Sequence, residues 1–215
     1  MSELVPSSVP WTTQHLTASQ LGEVPPPLDP EGWTQSLCGL ACLRSLLLFH
    51  GFAAPSLIEL LSEGMRLGAW SAAGWIHAGL LRMARGYGLD GVTAAADEFS
   101  TLDALVAMGL PPIVSVTLRF PVDERRGGHL VVYTGRASAA EPDPIRRDDA
   151  GLTPLVCFMD PSSWGRDNVE VSEKRMRASF SGRLVALWPT GDALASAALS
   201  AAGLSRVAAH RSQGP

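Results

Sequence analysis

The apolar pattern of this chain changes period once, near Pro111, and that change fixes its fold class. Before it, Leu40, Leu43, Leu47 and Leu48 recur at helical spacing and Gly51 ends the pattern where a C′ glycine stands, which predicts a helix of about three to four turns over residues 36–51. Ser56 is placed to cap a short helix bearing Leu57, Ile58, Leu60 and Leu61. Residues 71–86 read as a third helix, with Trp75, Ile76, Leu80, Leu81 and Met83 on its buried side. Ser100 or Thr101 caps a fourth, which carries Leu102, Leu105, Val106 and Met108. Beyond Pro111 the runs shorten and become β-branched. Residues 111–118, 129–135, 155–160 and 183–188 read as strands, with a short one at 169–171 and a helix over 172–180. The run from His129 is too continuously apolar for an exposed edge, and Pro161 ends the strand before it because it cannot donate to a ladder. Helices first and strands after predict an α+β fold built on an antiparallel sheet.

Flanking composition sets the domain limits. Residues 1–27 are rich in Ser, Thr and Pro and read as an extended or disordered lead-in; residues 28–190 form the core domain; residues 191–215 are an Ala-rich tail. Two polar loops, 119–128 and 137–153, interrupt the sheet. With 46% hydrophobic and 18% charged residues the chain has the material for a buried core. A net charge of -4 argues against nucleic acid or an anionic membrane as partner. Three cysteines, an odd and sparse set, fit a reducing compartment and no disulfide framework. No basic-then-apolar N-terminal segment and no run of membrane-spanning length is visible, so a cytoplasmic location is expected. Neither phosphate-cradling glycine loop nor dinucleotide fingerprint occurs, and Cys38 and Cys42 lack metal-site spacing and a second cluster; no cofactor or metal is expected. Oligomeric state is left open.

Chemistry concentrates at Cys38. It falls in the first turn of the predicted 36–51 helix, where the positive end of the macrodipole favours a thiolate, and Gly39 beside it leaves room for another molecule's backbone. A nucleophilic thiol needs a base and a group to orient that base. Of the five histidines, His15 lies in the lead-in and His210 in the tail, His50 suits the C-terminal dipole of the cysteine helix, and His77 reads as an ordinary helix-boundary residue. His129 differs: it opens a buried strand after Gly127-Gly128, at the rim of the sheet. Asp160 holds the matching place at the end of another strand, from which a carboxylate reaches the far ring nitrogen if the two strands are neighbours. The plainer alternatives stand beside this: Cys38 as a small core residue, His129 as a satisfied strand end, and Asp160 as a turn former before Pro161. Cys42 and Cys157 read as buried core.

These residues resemble a known family. C-G-L-A-C-L from Cys38 to Leu43, H-G at His50-Gly51, A-x-x-x-G-L from Ala84, the L-P-P-I-V strand, G-H-L-V-V-Y at Gly128–Tyr133, D-P at Asp160-Pro161 and F-S-G-R-L from Phe180 follow the order found in the bacteriocin-processing double-glycine leader peptidases. Those are papain-like cysteine peptidases, usually fused to peptide exporters; a stand-alone member without exporter domains is expected here. The resemblance implies a papain-like fold, Cys38 as nucleophile, His129 as general base and acid, Asp160 as orienter, a peptide or amide substrate, and the Cys38 backbone N–H as part of an oxyanion hole. Where the family carries an oxyanion glutamine, six residues before the cysteine, this chain has Gly32; Gln35, three before it, is the candidate in its place. The 137–153 insertion also departs from the family's short hairpin, so its Gly-Gly specificity does not carry over. Hydrolysis through a Cys38 acyl-thioester is the leading expectation. Acyl transfer to an amine, or peptide binding without catalysis, are its alternatives.

Overall fold

The computed structural model describes residues 7–24, 36–137 and 154–193, together with Ala195 and Leu199. The elements run α1 (Ala18–Leu21), α2 (Cys38–Phe49), α3 (Leu57–Arg66), β1 (Trp70–Ser71), β2 (Gly74–Trp75), α4 (His77–Gly86), β3 (Leu89–Ala95), α5 (Phe99–Ala107), β4 (Ile113–Val116), β5 (His129–Arg136), β6 (Leu155–Met159), β7 (Glu170–Ser172), α6 (Glu173–Ser179) and β8 (Arg183–Pro189). Strands β3-β8-β4-β5-β6-β7 form one six-stranded sheet, and every neighbouring pair is antiparallel. This is the α+β architecture that the change of period implies.

Alternation along the strands splits the core into two layers. Leu130 and Val132 of β5, Val185 and Leu187 of β8, Ile113 and Met159 face one side and pack against α2, α3 and α4. Val131, Tyr133, Val114, Val116, Leu184 and Ala186 face the other side and pack with Phe99, Leu102 and Leu105 of α5 and Met176 of α6. Strand β5 is therefore buried on both faces, which explains its unbroken apolar run. Helix α3 starts where Ser56 predicts: its hydroxyl accepts from the Glu59 N–H while Glu59 accepts from the Ser56 N–H, a complete capping box.

Three local expectations are corrected. The third helix begins at His77, not Ser71, because residues 70–75 form a tight two-stranded ladder, Trp70 opposite Trp75 and Ser71 opposite Gly74. Gly74 takes a φ of 104° there, a value suited to glycine. Trp75 is drawn out of any helix by its own packing. Its indole lies against Gly39 and Gly64, where a Cβ would meet it at 2.8 and 2.7 Å, and Nε1 donates to Ser36 O at 2.6 Å. The space beside Gly39 is thus filled by Trp75 rather than left for a second molecule. Helix α5 begins at Phe99, so Ser100 and Thr101 lie within it. Strand β3, L-D-G-V-T-A-A, has no sequence signal because Gly and Ala carry little β-preference; the edge forms because Gly91 lets β8 come close, its missing Cβ space lying against Ala186 O.

Candidate active site

Cys38 is the first residue of α2, whose N-cap, Leu37, offers no side-chain hydrogen bond. The first-turn N–H groups therefore meet no side-chain cap, and negative charge is favoured beside them. His129 opens β5, and Asp160 directly follows β6. Those strands are antiparallel neighbours, with Val132 opposite Met159. The register brings the far end of β6 to the start of β5, and His129 Nε2 lies 2.8 Å from Asp160 Oδ1. The Cys38 thiol acts on the same ring, being one of the groups that raise the imidazole's pKa. Cysteine, imidazole and carboxylate stand in a chain, 9%, 6% and 0% exposed respectively.

Burial alone pushes the His129 pKa down. Hydrogen bonds to Asp160 and Cys38, with their charges, outweigh burial and raise it to about 9. Burial likewise opposes ionisation of Asp160, but the His129 hydrogen bond and charge, and the Ser162 N–H donated to Oδ1 at 2.8 Å, hold its carboxyl below the usual range. Gly165 fixes the carboxylate's position, since a Cβ there would collide with the Asp160 backbone oxygen and side chain. Two glycines with positive φ, Gly127 at 80° and Gly128 at 93°, turn the chain into His129.

The histidine and cysteine open onto a cleft of about 1160 Å3. One wall is the β1–β2 hairpin with Trp70 and Trp75; another is the 119–128 loop, from which Arg119, Arg126 and the two glycines line it. Residues 138–153, nearly all of the second polar loop, lie outside the described residues, as does Gln35. His77, read as a boundary residue, opens α4 at the cleft, and burial chiefly lowers its pKa, with the Arg183 charge adding to the effect. His50 caps the end of α2, away from Cys38. Cys42 is buried and its thiol donates to Leu130 O at 3.3 Å; Cys157, expected in the core, is half-buried.

Sequence reasoning passed over Gln14. Residues 7–24 do not trail away but strap the site. The Thr12 hydroxyl donates to Ala41 O of the nucleophile helix at 2.8 Å and lies 2.7 Å from Ser45 Oγ. Trp11 Nε1 donates to Asp160 O at 2.8 Å, and the Gln14 N–H donates to Pro161 O at 2.9 Å. The segment so joins the cysteine helix to the aspartate turn, and Gln14, 5% exposed, lines the cleft with Cys38. His15 lines it as well.

Neither a family model nor a curated protein matches the sequence. Solved structures do match. The peptidase domain of Streptococcus ComA, a bi-functional ABC transporter involved in a quorum sensing pathway, is 21% identical over 71% of this chain and 90% of that chain, with a TM-score of 0.50. A double glycine motif protease from an AMS/PCAT transporter, in complex with the leader peptide, is 18% identical over 86% and 94%, with a TM-score of 0.52. A C39-like peptidase from Bacillus anthracis is 16% identical over 87% and 98%, with a TM-score of 0.55. The chain has the fold of the papain-like, C39-type peptidase domains.

Proposed function

We propose that this protein is a cysteine peptidase that cleaves a peptide or amide bond through an acyl-thioester on Cys38. The observation that carries the reading is the grouping of Cys38, His129 and Asp160: the thiol and the imidazole line one cleft, and the buried carboxylate holds the imidazole from behind. His129 takes the thiol proton, and Sγ attacks the scissile carbonyl. The resulting oxyanion accepts from the Cys38 backbone N–H and from the Gln14 side-chain amide. As the C–N bond breaks, His129 gives its proton to the leaving amine. It then takes a proton from water, whose oxygen attacks the thioester and releases the acid and the thiol. Asp160 keeps the ring oriented and supports its positive charge throughout.

The reading is tested without knowing the substrate. Iodoacetamide labelling at neutral and mildly acidic pH, followed by peptide mass spectrometry, is expected to modify Cys38 rapidly. His129→Ala is expected to abolish that low-pH reactivity. Cys42 stays unlabelled, because burial and the neighbouring Cys38 and Asp160 charges raise its thiol pKa. Slow labelling with an ordinary thiol profile in both proteins overturns the pairing.

Gln14 acts in this scheme only when charge develops on the oxygen. Gln14→Ala is therefore expected to lower kcat by about 10²–10³-fold with KM little changed, the signature of a lost oxyanion donor. Gln14→Glu removes the donor while keeping the shape, and a full rate in either variant assigns the role elsewhere.

A further inference from the structure

The described arginines divide sharply by partner. Arg66, Arg85, Arg125, Arg136 and Arg177 pair with carboxylates. Arg44, Arg82 and Arg175 donate to backbone carbonyls, and Arg166 lies over the Trp11 ring at 4.9 Å. Three guanidinium groups remain, those of Arg119, Arg126 and Arg183, with no partner among the described residues. All three residues line the cleft that holds Cys38.

That coincidence is unlike a random scatter of surface charge. They come from different parts of the chain: Arg119 and Arg126 from the loop between β4 and β5, Arg183 from the first position of β8. No Asp or Glu lines the cleft among the described residues, although the whole chain carries a net charge of -4. The Arg183 charge also reaches His77 across the cleft, contributing to its lowered pKa. A concave site with low-dielectric walls focuses such a field, so an anionic ligand is drawn in and a cationic one rejected. Arginine in particular offers a planar fork that matches a carboxylate with two parallel hydrogen bonds.

We propose that the cleft selects acidic peptides: segments bearing Asp or Glu close to the scissile bond, whose side-chain carboxylates take Arg119, Arg126 and Arg183 as partners. This deepens the peptidase reading by naming its substrate class, and it rests on that reading for the reaction but not for binding.

Binding is therefore measured apart from cleavage, on full-length Cys38→Ala protein. Three pools of decapeptides carry a neutral fluorescent label and are randomised over uncharged residues except at four central positions, filled with Asp/Glu, with Ser, or with Lys. Anisotropy at 50 mM NaCl is expected to show the Asp/Glu pool binding about tenfold more tightly than the Ser pool, about 1.4 kcal/mol, with the Lys pool weakest. At 300 mM NaCl the gap narrows as the exposed charges are screened. Adding Arg126→Glu and Arg183→Glu reverses the order, and Arg126→Gln with Arg183→Gln flattens it; thermal melting shows that each variant is folded. Equal binding by the three pools, binding by none, a preference for Lys, or an acidic preference indifferent to these substitutions each overturns the proposal. Incubating the Asp/Glu pool with the protein carrying Cys38 is a separate arm. Selective binding without Cys38-dependent cleavage overturns the peptidase reading and leaves the acidic-peptide surface standing.

Discussion

Cys38→Ala is expected to lower kcat/KM on any peptide the protein cleaves by about 10⁴-fold or more, the loss seen when a nucleophile is removed from a triad that works as a unit. The expectation follows from what is left behind. No second thiol stands in reach to substitute, since Cys42 is wholly buried one helical turn further on with its sulfur held by Leu130 O, and Cys157 sits on β6. His129 and Asp160 remain paired, so a water activated by His129 is the sole residual nucleophile. The fold, by contrast, depends little on the sulfur: truncating one small side chain at the cleft end of α2 costs on the order of 1 kcal/mol. Turnover followed by mass spectrometry, with thermal melting as control, is the measurement. Activity within tenfold of wild type, at an unchanged melting temperature, rules out an acyl-enzyme on Cys38.

The parts of this site that the sequence makes legible are those whose chemistry coincides with a periodic apolar run. Cys38 heads a helix marked by Leu40, Leu43 and Leu47; His129 and Asp160 sit at the ends of strands buried on at least one face. Each side chain is thereby located by the element it terminates. Gln14 has no such marker. Its segment is also periodic, with Thr12, Gln14 and Leu16 buried and Thr13 and His15 between them half-buried, but two of the buried residues are polar. Thr12 is satisfied by Ala41 O and Ser45, contacts made about thirty residues away in sequence, so no local pattern of hydropathy reports the burial. The β1–β2 hairpin is hidden for a related reason. Trp75 and Ile76 fit a helical stripe on paper, yet Trp75 is committed to the slot between Gly39 and Gly64, and tertiary packing overrides the period. The three cleft arginines are equally silent in the sequence. What distinguishes them is the absence of a partner among the described residues, which only the assembled surface reveals.

Asp160→Asn separates orientation from charge. The amide oxygen can still accept from His129 Nε2–H, so the ring keeps its place, but the negative charge that stabilises the imidazolium is gone. A drop in kcat is expected, well short of the roughly 10⁴-fold seen where a triad carboxamide imposes the wrong tautomer, because here Nε2 keeps its proton. The larger diagnostic is pH. In the wild type, His129 is raised to about 9 against burial, so its protonated form survives until pH passes that value. Without the Asp160 charge, burial gains on the remaining contacts, and the alkaline limb of kcat/KM moves to lower pH. Stability must follow the same linkage. A folded pKa above the ordinary 6.5 gives His129 a stabilising share that is complete below 6.5 and is lost as pH rises through about 9. The depressed Asp160 carboxyl gives a share present above its ordinary 3.8 and lost as pH falls through its folded value. The difference in melting temperature between wild type and Asp160→Asn should therefore be greatest near pH 5–6 and shrink by pH 9.5. An alkaline limb that stays in place in the variant, or a melting difference independent of pH, shows that Asp160 holds the ring without charging it.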